Sequence, residues 1–213
     1  MSSPNQARSQ DASRRAGAVA LMVWCVLLAP TVADAQDVPV PIETHLPICM
    51  AALPFDRKIK ERVGEELVVG IIYQARFLAS TRAHEEALRV LNELSTEEVD
   101  GVPVRYVSLP VSREEDVERA VLDGEADILY IAPLRAMSLA SITRVSRAHD
   151  LMTWSGVTAY ADEGVTLTVD ARGGKPEIVI NLTAMASEGV DFTAALLDYA
   201  RVINIPAKAE DDD

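Results

Sequence analysis

Two side chains able to attack a carbonyl or hold a metal stand four residues apart near the start of the chain, His45 and Cys49. On a helix this spacing puts an imidazole and a thiol on one face. That is the geometry of a two-ligand metal clip, or of a thiol beside its base. Neither chemistry finds its other half. The remaining histidines, His84 and His149, lie far along the chain and bring no second ligand pair, so no metal is expected. Cys49 reads as a small buried residue on an apolar helix face. A redox-sensing thiol, an intermolecular disulfide and a nucleophile remain the sharper alternatives. The carboxylate runs Glu97-Glu98 and Glu114-Glu115-Asp116 fall in loops or at helix starts, where they complement the helix dipole. The turn after the first apolar run is Tyr73-Gln74-Ala75-Arg76, without the glycines of a dinucleotide loop. No phosphate-cradling glycine loop and no Gly-x-Ser-x-Gly elbow appears. The residues argue against an enzyme, and no cofactor is expected.

Recognition is the chemistry that remains. In open α/β sheets, ligands sit at the carboxyl ends of the strands. Those ends carry Gln74, Arg76, Ser108 and Ser155, and Arg76 has the charge to receive an anion. A second cluster lies in the first predicted helix, where Asp56, Arg57, Lys58, Lys60, Glu61 and Arg62 form the most basic stretch of an acidic protein. It reads as a docking helix, with Asp56, Arg57 and Lys60 as its contacts.

The elements that must position these residues alternate. A helix is expected over residues 46–63, kinked at Pro54 and ended by Gly64. Residues 67–73 (Leu-Val-Val-Gly-Ile-Ile-Tyr) form a continuous apolar run, the pattern of a strand buried on both faces. A helix over 84–94 follows, then a strand over 104–109 closed by Pro110. Ser112 and Glu115 form a capping box that starts a helix to Asp123. Residues 127–132 are a third strand, and Pro133 suits the first turn of a helix reaching His149. A short strand lies at 151–154. Then the period changes: 165–169 alternates apolar and polar, Gly173-Gly174 turns, and 177–181 returns as an antiparallel hairpin. Helices at 183–188 and 193–203 end the chain. The fold class is α/β: one three-layer domain, a mostly parallel sheet with helices on both faces and a C-terminal antiparallel hairpin.

The N-terminus has the order of an export signal. Arg8, Arg14 and Arg15 precede an apolar run from Ala16 to Pro30, and Ala33-Asp34-Ala35 offers the small residues of a cleavage site. The run is shorter than the ~20 residues a spanning helix needs. The domain reading is therefore a signal peptide over 1–35, a flexible lead-in over 36–45, the α/β domain over 46–204 and an acidic tail over 205–213. A retained N-terminal anchor is the alternative. Arg14-Arg15 leaves the general and twin-arginine export routes both open. The full chain of 213 residues has a net charge of −13. So acidic a surface repels phosphate backbones, which makes nucleic acid a poor partner. Cleavage removes Cys25 and leaves Cys49 alone, so an intrachain disulfide is not expected.

The last third carries a resemblance. Residues 164–169 (Gly-Val-Thr-Leu-Thr-Val), 175–182 (Lys-Pro-Glu-Ile-Val-Ile-Asn-Leu), 186–193 (Ala-Ser-Glu-Gly-Val-Asp-Phe-Thr) and 196–203 (Leu-Leu-Asp-Tyr-Ala-Arg-Val-Ile) resemble the closing signature of the YfiR-like family of exported bacterial proteins. The resemblance implies a periplasmic α/β domain without catalysis. It also implies an inhibitory partner for a membrane-bound diguanylate cyclase or sensor-kinase type of signalling protein, and a homodimer. The cysteines that form disulfides in that type are absent here, and no functional residue carries over. The function expected is a non-catalytic periplasmic regulator that binds a membrane signalling protein. The alternative is a small-ligand-binding protein resembling half of a solute receptor.

Overall fold

The computed structural model describes residues 38–94, 98–135 and 137–205. The expected signal peptide and most of the acidic tail lie outside the described residues. Eight strands form one sheet in the order β2-β3-β1-β4-β5-β6-β7-β8. They are β1 (Leu67–Gln74), β2 (Glu98–Val99), β3 (Val102–Val111), β4 (Ile128–Ile131), β5 (Met152–Ser155), β6 (Leu167–Arg172), β7 (Lys175–Asn181) and β8 (Arg201–Ile203). Strands β3, β1, β4, β5 and β6 run parallel. The β6–β7 pair is the antiparallel hairpin, and β8 lies parallel to β7 at its outer side. The direction of winding reverses between β1 and β4, the switch point of a doubly wound sheet.

The central strands are apolar on both sides because helices cover both faces. On one face lie α1 (Ile42–Ala52), α2 (Ile59–Arg62), α3 (Leu78–Glu93) and α7 (Ala194–Leu197). Leu46, Cys49, Leu53, Ala87, Leu91 and Leu196 pack there on Val69, Ile71, Tyr130 and Trp154. On the other face lie α4 (Val117–Asp123) and α5 (Leu139–Ala148), whose Val117, Val121, Ile142 and Val145 pack on Ile72, Leu109, Leu129 and Ile131. The short helix α6 (Leu182–Ser187) begins at Asn181. The Asn181 side chain accepts from the Ala184 N–H at 3.0 Å and donates to the Ala161 carbonyl at 2.8 Å. A strand end thus becomes a helix cap.

Several boundaries differ from the sequence expectation, each for a reason visible in its contacts. The first helix starts at Ile42, inside the expected lead-in, because Pro41 sits at its N-cap, where a missing N–H costs nothing. The expected single helix over 46–63 is divided: a 3₁₀ turn at Leu53–Phe55 separates α1 from α2. Helix α3 starts at Leu78, six residues early, and in its first turn Ser80 Oγ accepts from the Gln74 N–H at 2.9 Å. The Ser112 capping box does not form. Arg113 stays extended, and the chain enters a 3₁₀ turn at Glu114–Asp116 with no side-chain cap. Glu115 pairs with Arg113 at 2.7 Å instead, and its neighbour Glu114 accepts from the Ser138 N–H. Pro133 does not open a helix. The N–H of Leu134 donates to Tyr160 Oη and that of Arg135 to Gln74 Oε1, so the segment stays extended and Ser138 caps α5. The expected last helix stops at Leu197, and Arg201–Ile203 pairs with β7 as a strand, where Asp170 and Glu177 hold Arg201 at 2.7 and 3.0 Å.

At Gly70 the sheet has no room for a side chain. A Cβ there would lie 2.4 Å from Leu109 Cδ1 and 2.9 Å from the Ala126 Cβ. Gly70→Ala is expected to cost about 1–3 kcal/mol, read as a lower denaturant midpoint with an unchanged m-value.

Candidate functional site

The predicted docking helix is built on a carboxylate clasp. Asp56 is 2% exposed. Its Oδ1 accepts the N–H groups of Lys58 at 3.1 Å and Asp191 at 3.0 Å, and its Oδ2 is ion-paired with Arg62. Backbone bonds from Arg57 N–H to the Asp191 carbonyl and from Thr193 N–H to the Phe55 carbonyl complete the join. The segment between α1 and α2 is thereby tied to the loop before α7. Asp56 and Arg62 are spent on this join, and Asp56 offers nothing to a partner. Arg57 and Lys60 project outward, with side chains 56% and 61% exposed. Their ion pairs, Arg57 to Asp191 at 3.3 Å and Lys60 to Asp100 at 4.0 Å, are surface contacts that a partner can displace. Lys58 is also exposed and has no ion pair among the described residues.

The strand-end residues separate into three places. Gln74 ends β1, and its Oε1 accepts from the Arg135 N–H at 2.8 Å. That bond brings the loop after β4 beside Arg76. Arg76 and Arg135 are both exposed and unpaired among the described residues, so two cations stand at the switch point. Arg135 was invisible as a site residue because nothing in its own neighbourhood marks it; only the Gln74 contact does. Ser155 is fully buried, donates to the Ile131 carbonyl at 2.8 Å and accepts from the Val157 N–H at 3.1 Å. It is a structural pin. Ser108 lies on the other side of β1 from β4 and β5, bonded to His84 Nε2 at 2.8 Å. The His84 ring stacks on Tyr73 at 3.9 Å between centroids. The sheet therefore joins Gln74 with Arg76 but leaves Ser108 and Ser155 elsewhere.

His45 and Cys49 share a helix face as expected, but both are fully buried. His45 Nδ1 lies 2.9 Å from the Val40 carbonyl and so carries the proton; Nε2 then accepts from Tyr130 Oη at 3.0 Å. Burial lowers the imidazole pKa and raises that of the Cys49 thiol. A thiol held protonated is a poor nucleophile. Among the described residues no group of three or more His, Cys, Asp or Glu could hold a metal ion. Cys49 is expected to be silent to an aqueous thiol reagent in the native chain and to react once the chain is unfolded.

One polar centre escaped the sequence altogether. Glu188 is fully buried at the end of α6. Its carboxylate accepts from Ser146 Oγ at 2.7 Å, Thr166 Oγ1 at 2.7 Å, Thr153 Oγ1 at 2.9 Å and the Thr153 N–H at 2.9 Å. Burial raises its pKa to about 7, with the four donors opposing the shift. The only cue in the sequence is the small-residue segment Ala186-Ser187-Glu188-Gly189, which reads as an ordinary helix end. A carboxyl with a folded pKa above its unfolded value binds extra protons in the native state, so stability is fully present below pH 4.5 and declines up to about pH 7. The loss is expected to be on the order of 3 kcal/mol. In Glu188→Gln this decline disappears. Denaturant titrations between pH 4.5 and 7.5 check it: a slope unchanged in the variant contradicts the assignment.

The fold is a doubly wound α/β domain. A family model described as YfiR/HmsC-like matches residues 74–201, more than half of the chain. The chain belongs to the YfiR/HmsC-like family, a regulatory family of the periplasm. No curated protein matches the sequence. Among solved structures, the chain is similar to the ABC domain in complex with L-Trp from Streptococcus pneumonia, with 13% identity and TM-score 0.52, over 76% of this chain and 62% of that one. It is also similar to a conserved domain protein from Vibrio cholerae O1 biovar El Tor, with 16% identity and TM-score 0.47, over 76% of this chain and 60% of that one. A ligand-free, open substrate-binding protein with adhesive properties from Clostridium difficile matches at 10% identity and TM-score 0.45, over 68% and 57%. The chain thus spans less than two thirds of each of these three structures. At these identities the likeness concerns the fold alone.

Proposed function

We infer that this chain is a non-catalytic periplasmic regulator that binds the outer part of a membrane-bound signalling protein, of the diguanylate cyclase or sensor-kinase type. Family membership supports the regulatory role. The observation that carries the binding surface is the Asp56 clasp, which uses Arg62 internally and presents Arg57, Lys58 and Lys60 outward from a chain of net charge −13. A rigid basic patch on an acidic protein steers a complementary acidic surface toward one orientation. The export signal read over residues 1–35 supports the periplasmic location, and among the described residues no helix is long and apolar enough to cross a membrane. A homodimer is compatible with this reading.

Charge reversal tests the patch. Arg57→Glu with Lys60→Glu removes two surface ion pairs, which costs at most about 1 kcal/mol each, so the fold should survive. Affinity capture of the tagged protein from cross-linked cells is expected to recover a membrane protein with a cytoplasmic cyclase or kinase domain. The double variant should recover at least tenfold less. Equal recovery by both removes the patch from the interface, and a clean negative with the native chain turns the account to ligand binding.

That second reading has its own observation, the pair of unpaired cations Arg76 and Arg135 at the switch point. It makes the chain a binder of a small anionic ligand. A thermal-shift screen of carboxylates and phosphates that finds a stabilising ligand in the native chain but not in Arg76→Ala supports it; a screen without hits discards it.

A further inference from the structure

The two rims of the sheet differ in length. At one, β8 is three residues long. At the other, β3 runs for ten residues, and among the described residues β2 flanks it only at Val102 and Pro103. From Val104 to Val111 its recorded sheet partner is β1, on one side only. The direction of the free backbone groups follows from one bond. The Ala75 N–H donates to the Val111 carbonyl at 3.1 Å, so the groups of Val111 face β1. Along a strand, N–H and C=O point to alternate sides residue by residue. Tyr106, Ser108 and Pro110 therefore turn theirs outward. Pro110, which has no N–H, stands at an outward position, the site in a sheet where proline is tolerated.

Natural edges are protected by charge, by brevity or by a covering element. This one is long and carries a single charged residue, Arg105, which is occupied by Glu66 at 3.0 Å and Glu125 at 3.6 Å. Beside it runs an open groove of about 550 Å³ whose lining includes Ser108, Leu109, Pro110, Asp116, Arg119 and Asp123. The charge around it is acidic. Asp116 is answered by Arg119 at 3.0 Å and Arg113 at 3.4 Å, which leaves Asp123, among the described residues, as the free carboxylate of the groove lining. Asp123, and Glu85 beside the His84 that bonds Ser108, are exposed and have no ion pair among the described residues.

We propose that the Tyr106–Pro110 edge of β3 is a docking site for an extended, basic segment of a partner protein, which joins the sheet as an added strand. Only an extended backbone satisfies the outward N–H and C=O groups, and this mode of recognition draws affinity from main-chain bonds and specificity from alternate side chains. Side chains on one side of the added strand face Asp123 across the groove; those on the other side face α3 and Glu85. A second copy of this chain brings the same carboxylates to the same place on a molecule of charge −13, which opposes edge-to-edge pairing.

The inference does not depend on the membrane partner or on the Arg57–Lys60 patch. A display library of random ten-residue peptides, panned on the purified chain at low salt, is the test. Enriched peptides are expected to carry Lys or Arg at alternating positions. Their binding should fall at least tenfold in Ser108→Pro, which removes an outward donor, and in Asp123→Lys, which leaves the strand untouched. No enrichment, or peptides that bind both variants as well as the native chain, overturns the proposal. If Ser108→Pro fails to fold, the Asp123→Lys result alone decides. A native chain that sediments as a dimer, with Asp123→Lys dimerising more tightly, assigns the edge to a second copy and also overturns it.

Discussion

The Glu188 carboxylate sits where α5, β5, the start of β6 and α6 meet, without a cation among the described residues to neutralise it. Four donors from three separate segments converge on its two oxygens. Removing a carboxylate from water is expensive, and donors from a fixed scaffold are what make it tolerable. Those donors oppose the upward shift that burial imposes on the carboxyl, without cancelling it. The second half of the sheet is built around that demand. Ser146 sets the depth of α5, and Thr166 sets the entry into β6. Thr153 Oγ1 also accepts from the Thr166 N–H at 3.0 Å, which ties β5 to its neighbour. The Asp56 clasp applies the same rule to the first half, with backbone N–H groups and Arg62 answering a buried carboxylate. Both devices join residues far apart in sequence, and both leave the helical layers fixed on the sheet.

That rigidity gives the exposed chemistry its meaning. The interior is filled by Val, Leu, Ile and a few aromatics, and several of the polar groups within it bond one another. His45 holds Tyr130, His84 holds Ser108, and Ser155 holds the end of β4. The charged groups left to act on something outside lie on surfaces: the basic segment at Arg57–Lys60, the two arginines at the switch point, and the acidic surroundings of the β3 edge.

The central strands were legible because burial on both faces leaves an unbroken apolar run, as at Leu67–Tyr73, and the hairpin because Gly173 and Gly174 both take positive φ, 58° and 77°. The packing role of Cys49 followed from its place on an apolar face. Other features were decided by contacts no local pattern contains. Glu115 had a capping partner, Ser112, in sequence and pairs with Arg113 in space. The apolar tail of the last predicted helix became β8 because Arg201 meets Asp170 and Glu177 from the hairpin. Asp56 looked like one charge of a solvated helix, and a loop about 135 residues away buries it. Glu188 had no legible cue of burial, since serine and threonine donors are ordinary residues until the fold gathers them. Of the candidate site, the outward basic side chains were legible and the pairing of Gln74 with Arg135 was not.

The central claim is that this rigid domain acts by contact with a membrane signalling protein through its basic segment. The most direct measurement places a photo-crosslinking amino acid at Lys58 in intact cells and identifies the adduct by mass spectrometry. The account predicts one dominant adduct with the periplasmic part of a membrane protein whose cytoplasmic part signals. Adducts only to soluble envelope proteins, or none from Lys58 while a control position on α3 reacts, would contradict it.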